Sequence, residues 1–169
     1  MEFHTEHEAA LYTMLQRVLQ NHVVNYRLGY HQTLAACTAV LGYVLYVMIE
    51  TWEEVPALLE STVAVLQQRT RARHESPPLL SFQDYTVSTT TAASGQELGH
   101  ALATLLATAG LEHHMSAAAT WSVCCSLLAD VLIMPLHDGQ QTSEAVEASI
   151  ASLRDRLPGL MHMWDEERQ

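Results

Sequence analysis

The chain is expected to be all-α: one domain over residues 1–169, a bundle of about six helices with a long loop after the third. Three observations lead there. Apolar residues recur at three- and four-residue steps in six separate stretches. Gly and Pro are scarce, seven and five in 169 residues, too few for the many turns of an all-β protein. At 49% hydrophobic residues the chain can fill a single core and is too apolar for a disordered segment.

The first helix is expected over 6–28. Thr5 and Glu8 have the spacing of a capping box, and Leu11, Leu15, Val18, Leu19, His22 and Tyr26 follow on one stripe. The second, 30–52, is the most apolar. Thr33 to Ile49 is uncharged over 17 residues and apolar on every face, as in a central bundle helix or, at the lower limit of length, a membrane span. Two Thr, two Tyr, a Gly and the lack of a basic flank favour the buried-core reading. Pro56 opens the third helix, 56–74, which closes on Arg69, Arg71 and Arg73 beside the negative end of its dipole.

Pro77-Pro78 and the Ser/Thr-rich run up to Ser94 make 75–94 the long loop, expected to be protease-sensitive. The fourth helix, 95–109, is expected to start on a capping box, Ser94-Gly95-Gln96-Glu97, and to end near Gly110. The fifth, 114–134, stops at Pro135 and carries one acid, Asp130. The sixth, 143–157, stops at Pro158-Gly159, with Leu160 to Trp164 as a last docked turn.

Charge and composition exclude several functions. The formal net charge of −11 repels nucleic-acid phosphates and anionic membranes. All eight basic residues are Arg, so neither a Schiff-base lysine nor a Walker lysine exists. Cys37, Cys124 and Cys125 lie in apolar helical stretches, which suits buried thiols in a reducing, cytoplasmic setting. The acidic Met1–Glu6 stretch has no leader character.

Ten His are unusual in so short a chain, and His22 and His100 are expected inside. Glu97-x-x-His100 matches one ligand unit of a di-metal carboxylate bundle, but such a site needs two units, so Glu97 and His100 are weak metal candidates and no cofactor is expected. There is no nucleophile elbow and no thiol beside a base, so no catalytic residue is named.

What remains is a non-enzymatic interaction bundle (adaptor, inhibitor or regulator) that binds a protein partner and self-associates, at least as a homodimer. Its candidate interaction residues are Arg69, Arg71 and Arg73, the one basic cluster, with Trp52 and Trp164. A small-molecule or metal-binding bundle, with a pocket near His100, Trp121 and the cysteines, is the alternative. A membrane-inserting bundle built on the second and fifth helices is the third reading.

Overall fold

The computed structural model describes residues 2–73, 91–137 and 142–169. Six α-helices account for most of them: α1 Glu6–Tyr26, α2 Tyr30–Met48, α3 Val55–Arg73, α4 Thr91–His113, α5 Ala117–His137 and α6 Ser143–Arg168. A single 3₁₀ turn, Trp52–Glu54, leads into α3. The described residues contain no strand. Most of the expected loop, residues 75–90, lies outside the described residues, as does His74 at the expected end of the third helix.

The helices stack as two layers of three. α2 lies between α4 and α6, and α5 lies between α1 and α3. Across the layers α4 packs on α1, α2 on α5, and α6 on α3. Within the first layer α2 and α4 run parallel, since Gln32 meets Gly95 and Ala36 meets Gly99 one turn further on. In the second layer α3 and α5 run parallel, since Thr62 meets Trp121, Arg69 meets Ser122, and Arg73 meets Asp130.

The two middle helices are the two apolar ones, and the layering explains why. Each is covered on three sides, so only a narrow strip of each can face outward. Leu41, Leu45, Leu128 and Leu132 are fully buried between the layers. Thr33 and Thr38 are tolerated in the core of α2 because each hydroxyl donates back to a carbonyl one turn earlier, Gly29 and Leu34. Gly42 is where α6 comes nearest: a Cβ there would stand 2.9 Å from the Leu160 Cβ.

The start of α1 follows the sequence. The Glu8 amide donates to the Thr5 hydroxyl at 3.1 Å, and the Thr5 amide donates to the Glu8 carboxylate at 2.7 Å. Arg27 closes the helix in the left-handed region, φ 53°.

Several later boundaries differ from expectation: α2 ends at Met48 rather than at 52, and α5 starts at Ala117 rather than at 114. The backbone is already helical at Thr91, so Ser94 lies inside α4 rather than ahead of it; the helix passes Gly110 and ends before His114, φ 51°. α5 continues through Pro135 to His137. α6 continues through Pro158 and Gly159 to Arg168. An interior proline costs a helix about 3 kcal/mol. Here Met161, one turn past the proline, is buried to 0% exposure, and such a side chain returns about 1.5–3 kcal/mol. Leu160 also packs against the core. Packing therefore outweighs the breaker.

Candidate functional site

The outward strips of α2 and α5 are treated in opposite ways. That of α5 carries Ser122, Ser126 and Asp130, one every four residues, and it is covered by polar groups from both neighbours. Arg69 and Arg73 reach it from α3. Arg69 donates to the Ser122 carbonyl, to the Ser122 hydroxyl at 2.8 Å and to the Ser126 hydroxyl at 2.7 Å. Arg73 pairs with Asp130, which also accepts from Tyr12 and, at 3.2 Å, from Gln16 of α1. The Glu2 carboxylate, from the segment before α1, lies 2.6 Å from Arg73 and 3.6 Å from Arg69, and Ser126 donates to it. The Phe3 ring rests on Tyr12, centroids 5.0 Å apart.

Two guanidinium groups thus face two carboxylates. Burial pushes the Glu2 carboxyl up, but the Ser126 and Arg73 hydrogen bonds and the two guanidinium charges outweigh it and hold the group below the usual carboxylate range. Burial and the Asp130 charge push the Tyr12 hydroxyl well up, so it stays a donor. Burial favours the neutral form of Arg73, yet Asp130 and Glu2 more than compensate and keep it charged.

The outward strip of α2 carries Gln32, Ala35, Ala39, Tyr43 and Val47, and among the described residues no polar network covers it. Beside Ala35 and Ala39, α4 presents Gly95, Gly99, His100 and Ala103, with Trp164 of α6 standing as the other wall. These residues enclose a hollow of about 460 Å³. Trp164 is fixed by its indole N–H on the Ala39 carbonyl, 3.3 Å, and by an edge contact with Tyr43, centroids 5.0 Å apart. Further along the same α2–α4 seam, Tyr43, Val47, Leu106, Leu111 and Met115 line a second hollow of about 230 Å³. Leu111 is 79% exposed there. From Gln32 to Val47 the seam follows about four helical turns, roughly 22 Å at 1.5 Å per residue.

The residues singled out from sequence are distributed between these faces. Arg69 and Arg73 enter the α5 network, with side chains only 14% and 12% exposed. Arg71 points to solvent and pairs with Glu147 at 3.2 Å, a surface bridge of little energetic weight. Trp164 walls the larger hollow. Trp52 stacks on His162, centroids 4.1 Å apart, beside Tyr46 and so on the same α2–α6 side.

Glu97 and His100 are both exposed, and His100 borders the hollow. His22 is partly exposed with Nδ1 on the Val18 carbonyl, so neither His expected inside is buried. Among the described residues no three His, Cys, Asp or Glu side chains gather as a metal site. Trp121 and the cysteines do not border the hollow. The Trp121 indole donates to Thr62, and all three thiols are buried. Burial pushes Cys37 and Cys125 up to about 12 and Cys124 well above its ordinary value. The Ala39, Gly99 and Ala103 positions, which give the hollow its depth, were missed from sequence. Their signal was small residues at four-residue spacing on two apolar helices.

Two helices, Tyr30–Met48 and the Ala117–Met134 part of α5, are long and apolar enough to cross a membrane; 56% and 67% of their windows are buried in the bundle. No family model matches the chain, and no curated protein or solved structure matches it either.

Proposed function

We propose that this chain is a non-enzymatic interaction protein, an adaptor, inhibitor or regulator, which receives a helix of a protein partner on the outward face of α2. The observation behind the reading is the contrast between the two middle helices. The outward strip of α5 is covered by Arg69, Arg73, Tyr12 and Glu2. That of α2 keeps two apolar hollows along its seam with α4, one walled by Trp164 of α6 and the other by Ala117 and Thr120 at the start of α5. A helix laid in a groove uses apolar anchors at successive turns, and a seam about four turns long with an Ala/Gly floor suits bulky anchors. With 19 acids against eight Arg, the chain favours a partner helix with a basic flank. The buried thiols suit the cytoplasmic setting.

The test is affinity purification from the native cell with the wild-type chain and with Ala39→Arg, which places a charge on the seam. A protein retained by the first and lost with the second, while circular dichroism shows both folded, supports the reading. Identical protein sets would contradict it. A second reading rests on the 460 Å³ hollow, which lies within the size range of small-molecule sites, with His100 and Gln96 as its polar groups. Native mass spectrometry of the purified chain distinguishes it: a retained small molecule favours this reading, and a bare chain favours the first.

A further inference from the structure

We propose that Arg69, Arg73 and Ser126 form a carboxylate receptor, filled by Glu2 from within the chain and able to accept an acidic residue on an extended partner segment when Glu2 is displaced. The proposal concerns the α5 side and does not depend on the α2 face.

Charge comes first. Asp130 neutralises one of the two guanidinium groups, and Glu2 supplies the second negative charge. Without Glu2 the pocket holds an excess positive charge on side chains that are mostly buried, and an anion is the simplest remedy. The type of anion follows from the donors: Arg73 and Ser126 both reach the same Glu2 oxygen, and Arg69 stands behind it.

The walls do not depend on the occupant. Arg69 is held by Ser122 and Ser126, and Arg73 by Asp130 and by the Arg69 carbonyl at 3.2 Å. A receptor whose donors are fixed in advance loses little order on refilling. The occupant, by contrast, is attached through its side chains. Among the described residues Glu2 and Phe3 make no main-chain hydrogen bond, and the first such bonds are those of His4 and Thr5 to Glu8. The segment is held by the Glu2 carboxylate and by Phe3, which is partly buried against the edge of the core and rests on Tyr12. The Glu2 side chain is 31% exposed, so exchange needs no opening of the bundle. The preferred guest is therefore an acidic residue followed by an aromatic one.

The experiment uses full-length Glu2→Ala, with Glu2→Gln as the milder variant should the first fold poorly. Melting temperature should fall by about 4 °C, and sodium propionate should restore most of it along a saturating curve. Sodium chloride at equal ionic strength should not, and propionate should leave the wild-type chain unchanged. Adding Ser126→Ala should move the propionate midpoint about fivefold higher, a loss of one hydrogen bond. By calorimetry, an acetylated Glu-Phe-His-Thr amide should bind the emptied receptor, while its Gln-Phe-His-Thr counterpart should not. A Glu2→Ala chain that melts like wild type, or a propionate effect equal to that of chloride, overturns the proposal. A sulfate effect equal to that of propionate overturns its carboxylate specificity.

Discussion

Five side chains, Arg69, Arg73, Ser126, Tyr12 and Gln16, converge on two acids at the outer strip of α5, and Asp130 is the acid that ties three helices together. It accepts from Tyr12 and Gln16 of α1 and pairs with Arg73 of α3. Removing one partner of a buried pair leaves the other charge uncompensated, which costs about 3–5 kcal/mol. Asp130→Ala should therefore lower stability by at least about 3 kcal/mol in urea unfolding. Glu2 gives a pH signature. Its carboxyl lies below its ordinary value of 4.5, so its contribution is complete above that pH and is lost as pH falls through the folded value. The stability gap between wild type and Glu2→Gln should thus be widest near neutral pH and close below about pH 4.5. The sequence shows Arg69 and Arg73 on one helix face and Ser122, Ser126 and Asp130 at four-residue spacing on another. It does not show that the two faces meet, because parallel packing of α3 on α5 is a tertiary fact. Nor does it show that Glu2, before the first helix, completes them.

At the scale of elements, local signals are read well where nothing competes with them. The Thr5–Glu8 box and the starts of α1, α2 and α6 follow from caps and patterning alone. Breakers are overridden where a long apolar face continues beyond them, as with Leu160, Met161 and Trp164 after Pro158. Two glycines separate these effects. Gly159 lies in α6 with nothing within 4 Å of a built Cβ, so Gly159→Ala should raise stability by about 0.5–1 kcal/mol through backbone entropy. Gly42→Ala gains a similar helix term. Its Cβ, however, would stand 2.9 Å from Leu160, and overpacking costs about 1–3 kcal/mol, so the net effect should be destabilising. Chemical denaturation of both variants gives the two signs directly.

For the whole molecule, the alternation of helices between two layers explains why two of six are so apolar, and why, among the described residues, one of these keeps an open face. The sequence shows the excess of apolar surface on both middle helices; which one is covered depends on the α1–α5–α3 contacts. With α5 closed over, self-association in the absence of a partner is expected through α2, where Val47 and Leu111 are exposed. Light scattering at micromolar concentration should give at least twice 18.8 kDa for the wild type and a lower mass for Ala39→Arg. Proton uptake should favour association, since ten added charges bring −11 to −1.

The central claim, that the α2 face is where a partner helix docks, is tested most directly by photo-crosslinking in the native cell. A photoreactive residue is placed at Ala39 or Ala103 on the seam, and at Gln20 or Ala151 on exposed surfaces of α1 and α6. The account predicts a discrete adduct with another protein from the two seam positions and none from the other two. Adducts of equal yield from all four, or adducts confined to Gln20 and Ala151, would contradict it.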